Sequence, residues 1–214
     1  MSILFNAYQP HSRLTCAIIY MNENKRTFYQ TRSAHSAFET RAEENGKKYI
    51  SGYFAVFNSE YEIWPGAVET VADTAFDEAL SDDIRCLIDH ETRLVLGRNK
   101  ANTLTLKADS RGLWGEVEIN ENDQDAVNLY ERVKRGDVDQ CSFGFDILDE
   151  EFEDRGDTVK WTIKKVKLYE VSIVTFPAYE DTSVSARKRQ LGEMKKRSIE
   201  AWKHKTLKKL KGEA

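Results

Sequence analysis

Three residues of this chain, His90, Ser142 and Glu170, are of the types that hydrolyse amide bonds in serine hydrolases. Amide hydrolysis by a hydroxyl group needs a base that removes its proton, a third group that orients this base, and donors that stabilise the oxyanion. Ser142 fits the role of nucleophile, His90 that of base and Glu170 that of orienting group. The residue types alone are weak evidence, because any chain of this length contains them.

Each of the three residues also has an explanation without catalysis. His90, flanked by two acidic residues, fits a solvated histidine at the end of a strand. Ser142 fits a small residue where two strands approach closely, and Glu170 fits the carboxylate partner of a lysine within residues 164–167 on a neighbouring strand. These alternatives stay open on the residue types alone.

The segment around the serine alternates as a strand from Val138 to Leu148. Cys141 is intrinsically a better nucleophile than the serine that follows it. Alternation, however, places Cys141 on one face with Phe143 and Phe145, where a free cysteine usually serves as a small buried apolar group. Ser142 lies on the other face. We therefore favour Ser142 as the nucleophile.

Two further predicted strands hold the other candidates. Residues 84–90 alternate, which places His90 at the end of its strand. Residues 166–175 form a second strand, on which Glu170 and Ser172 share a face. If the strands meet in one sheet, the histidine and the carboxylate can reach the serine.

The remaining pattern predicts one α+β domain. Helices are predicted near residues 73–80 and 123–135, the second with an acidic cap and a glycine after its end. Residues 149–157 predict an acidic mobile loop, followed by a hairpin of residues 159–163 and 166–175. We expect a mostly antiparallel, partly closed β-barrel of about six to eight strands, flanked by these helices and by a basic C-terminal helix.

Charge is distributed unevenly along the chain. Residues 187–214 contain 11 Lys/Arg against 3 Glu, a net charge of +8, which leaves −12 for residues 1–186 because the total is −4. No DNA-binding motif accompanies the basic tail, so a nucleic-acid partner is not favoured. The apolar run at residues 16–21 is too short to cross a bilayer and lacks a signal-peptide layout, so we expect no membrane association.

The chain contains few of the groups that hold metals or cofactors. Its three cysteines have no CxxC spacing, and its four histidines are far apart without an HExxH pattern. P-loop and GxGxxG motifs are absent from the sequence. We therefore expect no metal site and no cofactor.

A series of short motifs follows a fixed order along residues 49–186. The motifs are Gly52-Tyr53-Phe54-Ala55-Val56-Phe57-Asn58, Pro65-Gly66-Ala67, Ala75-Phe76, Asp89-His90, Leu96-Gly97-Arg98, Thr103-Leu104, Asp109, Gly112-Leu113, Cys141-Ser142-Phe143-Gly144-Phe145, Tyr169-Glu170-Val171-Ser172-Ile173-Val174 and Pro177-Ala178-Tyr179. This series resembles the prohead maturation proteases of tailed bacteriophages, which are related to the herpesvirus assemblin proteases. The order of the motifs is more specific than any one of them.

The resemblance implies a herpesvirus-protease-like fold and a serine endopeptidase with nucleophile Ser142 and base His90. Assemblin-like enzymes use a second histidine as the third member, and this chain has none in the right region. Glu170 is therefore the first candidate for that role and Asp89 the second. The family pattern does not place the oxyanion donors on this sequence.

The resemblance also implies the setting of the reaction. The enzyme would cleave the major capsid protein and its scaffold segment inside the immature phage head, in the host cytoplasm, through an acyl-enzyme on Ser142. Self-association and autoproteolysis are further implications. The alternative is a catalytically inactive capsid-assembly or scaffold-binding protein of the same fold.

Three regions are predicted along the chain. Residues 1–47 form a weakly ordered N-terminal arm or an extension, and Met21 is a second candidate for the true start. Residues 48–186 form the protease domain, and residues 187–214 a basic helical tail.

Overall fold

The computed structural model of the protein describes residues 30–176 and 181–210. The alternative start at Met21 lies outside the described residues. The described part contains eleven strands and two α-helices. The strands are β1 Gln30–His35, β2 Glu39–Ala42, β3 Lys48–Val56, β4 Tyr61–Trp64, β5 Ala67–Val71, β6 Arg85–Ile88, β7 Glu91–Arg98, β8 Leu104–Ala108, β9 Gly112–Ile119, β10 Gln140–Asp154 and β11 Val159–Val174; the helices are α1 Gln124–Arg135 and α2 Asp181–Leu210.

The strands form two sheets, so the protein is a mixed α+β structure that is mostly strands. One sheet has the order β1-β10-β11-β5-β4, with β6 pairing to both β11 and β7. The other has the order β2-β3-β9-β8. Most pairs are antiparallel, as predicted, but β5 and β6 both pair with β11 in parallel. Within the described part of the chain, these pairings do not join the two sheets into a closed barrel.

The main hydrophobic core contains residues from both sheets and from α1. Phe54 of β3 and Leu113 of β9 belong to it, together with Phe143 of β10 and Val171 of β11. The Cys141 thiol of β10 donates to the Tyr53 carbonyl of β3 over 3.2 Å. One face of β10 is therefore buried against the second sheet, and the residues of its other face are the ones left to form a site.

Helix α1 confirms the prediction for residues 123–135. Asp123 is the N-cap, and its side chain accepts from the backbone N–H groups of Asp125 and Ala126. Gly136 ends the helix with φ 85°, a left-handed conformation that glycine adopts without a Cβ clash. Both ends are encoded locally, which is why the sequence predicts them well.

The predicted helix at residues 73–80 is wrong. These residues form turns that end in a short 3-10 segment, Ala79–Ser81. Tertiary contacts replace the helical hydrogen bonds: the Ala75 carbonyl accepts from the Val166 N–H of β11. The neighbouring Phe76 is fully buried and packs its ring edge-on against Phe143.

The predicted acidic loop at 149–157 is wrong for residues 149–154, because β10 continues to Asp154 and only residues 155–158 connect it to β11 at Val159. The two predicted strands at 159–163 and 166–175 are one 16-residue strand. Opposite charges across the hairpin stabilise this extension: Glu151 forms an ion pair with Lys164, and Glu153 lies opposite Lys160.

The ends of the described chain bear on the predicted regions. Residues 30–42 of the expected N-terminal arm contribute β1 to one sheet and β2 to the other. Helix α2 runs from Asp181 to Leu210, so the tail is helical as predicted. In the described residues, no helix is both long and apolar enough to cross a membrane. The domain boundary at residue 48 stays a prediction.

Candidate functional site

His90 lies in a tight turn and not at the end of a strand. Strand β6 ends at Ile88 and β7 begins at Glu91, so Asp89 and His90 alone connect the hairpin. Their φ angles are 48° and 59°. Two consecutive left-handed residues are the usual geometry of a two-residue hairpin, because its twist matches that of the strands. The alternating pattern concealed this turn, since neither residue is a glycine.

Asp89 fixes the turn against the end of β11. Its Oδ1 accepts from the Thr175 backbone N–H over 2.6 Å, and its Oδ2 accepts from the Thr175 hydroxyl over 3.1 Å. The Asp89 N–H donates to the Ile173 carbonyl over 3.0 Å. Both carboxylate oxygens of Asp89 therefore bind Thr175, and the turn lies beside the strand that carries Glu170.

The His90 imidazole contacts the buried carboxylate of Glu170. His90 Nδ1 lies 2.8 Å from Glu170 Oε1, and the Glu170 side chain is fully buried. A carboxylate at Nδ1 keeps the proton on that nitrogen and leaves Nε2 as an acceptor. Nε2 is buried and, within the described structure, has no hydrogen-bond partner. The ring nitrogen that does not contact Glu170 is therefore the one that remains for a further hydrogen bond.

The second oxygen of Glu170 is held from its own strand. Ser172, two residues later and fully buried, donates its hydroxyl to Glu170 Oε2. Alternation puts the two side chains on one face, as the sequence predicts. The carboxylate is therefore fixed at both oxygens, and the His90 ring is fixed through it.

Ser142 lies one strand away from this pair. On β10 it is the Cα partner of Ser172 on β11, while Gly144 is the partner of Glu170. Ser142 is fully buried, and its hydroxyl donates to the Arg32 carbonyl of β1 over 3.0 Å. The fold thus brings His90 and Glu170 into contact and puts Ser142 nearby, with its hydroxyl directed to β1.

Two cysteines near the site, Cys86 and Cys141, are buried. Cys141 belongs to the core between the sheets, as the alternation of β10 predicts. Cys86 lies in β6, opposite Val171 of β11. Burial, together with the nearby Glu170 carboxylate, raises the pKa of the Cys86 thiol. A thiol with a raised pKa is mostly protonated and therefore a poor nucleophile.

Comparison with known proteins places these residues in a family. The model of the caudovirus prohead serine protease family matches residues 36–197, which include His90, Ser142 and Glu170. The chain belongs to this family. It is also similar to the prohead protease of Escherichia phage T5, with 32% identity over 106 residues, or 50% of this chain and 47% of that protein. The match thus spans about half the length of this curated relative. No solved structure matches the chain significantly.

A buried ionic cluster, which the sequence analysis did not predict, connects β1, β5, β10 and α2. Glu69 of β5 is 2% exposed and binds two arginines, Arg32 of β1 and Arg187 of α2. Arg187 also binds Glu150 of β10 over 2.7 Å. A glutamate inside the apolar strand Ala67–Val71 was the available sequence signal. The cluster joins β1 and α2 to the sheet.

The charges around Glu69 are balanced by its arginines. Burial by itself raises the pKa of Glu69, but the charges and hydrogen bonds of Arg32 and Arg187 outweigh it and lower the pKa to about 2. Glu69 is therefore an anion throughout the neutral range. A permanently ionised carboxylate with two partners is suited to holding structure or binding a cation, not to transferring protons.

Proposed function

We propose that this chain is a serine endopeptidase of phage prohead maturation, with Ser142 as nucleophile, His90 as base and Glu170 as the group that orients the base. Family membership supports the serine peptidase class. The observation that carries the residue assignment is the 2.8 Å contact between His90 Nδ1 and Glu170 Oε1, combined with the buried, unpartnered Nε2. Asp89 is the weaker candidate for the third role, because both its oxygens bind Thr175.

The reaction proceeds through an acyl-enzyme. Ser142 Oγ attacks the scissile carbonyl carbon while His90 Nε2 accepts the hydroxyl proton, so an imidazolium forms next to the Glu170 carboxylate. The imidazolium gives its proton to the leaving amine as the C–N bond breaks. Water, deprotonated by His90, then attacks the ester, and the serine regains its proton when the C–O bond breaks.

The Ser142 hydroxyl must reorient before this chemistry. The Ser142 hydroxyl donates to Arg32 and must turn toward His90 Nε2. Catalytic hydrogen bonds are often incomplete in proteins without substrate and form in the complex. Two features support this rotation of the Ser142 side chain: the side chain is short, and no donor in the described structure competes for His90 Nε2.

The proposed substrates are the major capsid protein and its scaffold segment, cut inside the immature head in the host cytoplasm. Self-association and self-cleavage belong to the same proposal. The basic tail, residues 187–214, would dock on acidic scaffold surfaces. These assignments rest on the family and on the tail's charge.

Co-expression with the capsid protein, followed by mass mapping of new termini, tests the proposed function. We expect the parent chain to produce defined new termini and Ser142→Ala to produce none above background, with unchanged folding by circular dichroism. Cys141→Ala is the matched control, since it alters the neighbouring residue and should still cleave. Cleavage by Ser142→Ala together with loss of cleavage in Cys141→Ala would make the nucleophile assignment wrong.

The finer fold relationship is also a proposal. We infer from the order of the motifs that the two sheets correspond to the partly closed barrel of the herpesvirus assemblin proteases, with a domain of residues 48–186. An experimental structure of the full chain tests this by superposition. The inference fails if the strand order of the two folds differs around the serine-bearing strand.

A further inference from the structure

Strand β1 runs beside the nucleophile. It pairs antiparallel with β10 from Gln30 opposite Phe145 to His35 opposite Gln140. Ser33 is the Cα partner of Ser142, and the preceding carbonyl, that of Arg32, accepts the hydrogen bond of the Ser142 hydroxyl at 3.0 Å. The nucleophile thus contacts a peptide carbonyl group of an extended segment.

An extended peptide substrate would make the same contacts. Peptides commonly bind proteins by adding a strand to a sheet edge, where main-chain hydrogen bonds hold the peptide and alternate side chains enter pockets. A serine hydrolase needs its hydroxyl oxygen about 3–3.5 Å from the scissile carbonyl carbon, and the hydrogen bond of Ser142 to the Arg32 oxygen brings the hydroxyl to the same carbonyl group. Without β1, residues 140–145 of β10 would be such an edge, and Ser142 would lie in its middle.

The side chain of Arg32 indicates a pocket at this edge. Arg32 is the residue whose carbonyl contacts Ser142, and its guanidinium binds the buried carboxylate of Glu69 through two nitrogens. The same guanidinium lies 5.7 Å from the ring centroid of Phe145. The Arg32 side chain is only 12% exposed. A buried anion and an aromatic face are groups that bind a cationic side chain.

The pocket is built independently of β1. Glu69 belongs to β5, and Arg187 of α2 binds the same carboxylate oxygen, Oε2, over 2.6 Å. Removing Arg32 would therefore leave Glu69 paired with one cation and able to accept another. The family match starts at residue 36, so β1 lies before the region that the family shares.

We propose that the edge of β10 at residues 140–145 binds the substrate as an added strand, with an arginine or lysine of the substrate at the position of Arg32 and received by Glu69. Strand β1 occupies this site as an intramolecular substrate mimic until a substrate segment replaces it. The proposal rests on the proposed function, because it assigns the substrate site of the same nucleophile. A tethered strand competes at an effective concentration on the order of millimolar, which closes the site to dilute peptides.

The first experiment releases β1. In Arg32→Ala the strand loses its attachment to Glu69, so we expect a peptidyl diphenyl phosphonate with arginine at the reactive position to label Ser142 at least about fivefold faster. The labelling forms an Oγ–P bond and expels phenol. Arg41→Ala, which alters an exposed arginine of β2, is the control and should label at the parent rate. Unfolding cannot explain a gain in rate, and an unchanged or slower rate would overturn the role of β1.

The second experiment tests the pocket in the Arg32→Ala chain. We expect the arginine phosphonate to react at least about tenfold faster than the same peptide with glutamate at the reactive position. Substituting Glu69→Gln in that background should reduce this ratio of labelling rates severalfold. Both probes react with the same folded molecules, so a change in stability cancels in the ratio. Equal rates for the two probes, or a ratio unaffected by Glu69→Gln, would overturn the assignment of Glu69.

The Ser142→Ala chain separates the two levels of inference. If it is labelled as fast as the parent, the proposed nucleophile is wrong, whatever the strand does. If labelling requires Ser142 but neither Arg32→Ala nor the probe side chain alters the rate, the nucleophile stands and the substrate site is wrong.

Discussion

Two buried glutamates of one sheet, Glu69 and Glu170, bind different kinds of partner. Glu69 binds Arg32 and Arg187, two groups that are always charged. Glu170 binds His90 and Ser172, of which only the histidine can become charged. Both carboxylates are almost fully buried, at 2% and 0% exposure. The two glutamates are equally buried, so the difference between them lies in the charge of their partners.

The difference teaches what each site can do. Glu69 is already paired with two arginines in the resting protein, and these ion pairs link β1 and α2 to β5. Glu170 contacts a histidine, which in the proposed reaction becomes charged when the imidazole takes the serine proton. A buried carboxylate stabilises that imidazolium because the local dielectric is low.

The largest expected effect comes from replacing Glu170 by glutamine. The amide keeps the shape but removes the charge and can select the wrong histidine tautomer, so we expect kcat/KM to fall roughly 10³- to 10⁴-fold. Peptide cleavage rates measure this, and Glu118→Gln, which alters a partly exposed carboxylate of β9, is the control. A loss under tenfold in a folded variant would rule out Glu170 as the orienting group.

Glu69→Gln should act on stability, and its effect should depend on pH. The pKa of Glu69 falls from its ordinary 4.5 to about 2 on folding. A lowered pKa contributes stability that is complete above about pH 4.5 and is lost as pH falls toward 2. We expect Glu69→Gln to cost on the order of 3 kcal/mol at pH 7 and progressively less below pH 4.5, measured by urea unfolding.

The control for that prediction is an exposed carboxylate. Asp83 also has a pKa lowered to about 2, mainly by its hydrogen bonds to Arg98, but the side chain is 41% exposed. Water screens an exposed ion pair, so Asp83→Asn should destabilise the protein much less. A difference between parent and Glu69→Gln that stays constant from pH 7 to pH 2 would show that the cost comes from packing and not from charge.

Ser172→Ala tests whether the hydroxyl that binds Glu170 contributes to activity. The substitution removes the donor to Glu170 Oε2 but leaves His90 and Ser142 in place, so we expect kcat to fall about tenfold with little change in KM. Ser172→Thr keeps a hydroxyl and should recover most of the loss. If the two variants are equally impaired, the effect is packing on this buried face.

The smallest expected effect is that of Asp89→Asn. Asparagine tolerates the left-handed φ of 48° and keeps an oxygen acceptor for the Thr175 N–H. We expect a two- to threefold change in rate. Activity measurements on Asp89→Asn and Glu170→Gln in parallel decide between the two candidates for the third catalytic member; a larger loss in Asp89→Asn would reverse our choice.

Local patterns predicted the parts of this protein that local interactions decide. Asp123 and Gly136 give both ends of α1, and the alternation of β10 separates Ser142 from Cys141. The sequence failed at Ala75, whose carbonyl binds β11, and at residues 149–154, whose acidic side chains suggested a loop. In both places, backbone groups form hydrogen bonds with strand β11, whose residues a local sequence pattern does not include.

The sequence by itself determined the residue types of the candidate site, the face on which Ser142 lies and the order of motifs that indicates the family. Only the tertiary structure decided that the His90 imidazole contacts Glu170 and that β1 lies against Ser142. The physical reason is that these contacts join residues 80 and 110 positions apart for the His90–Glu170 and Ser142–Arg32 pairs. Periodicity reports which face a side chain takes, whereas sheet pairing decides which faces meet.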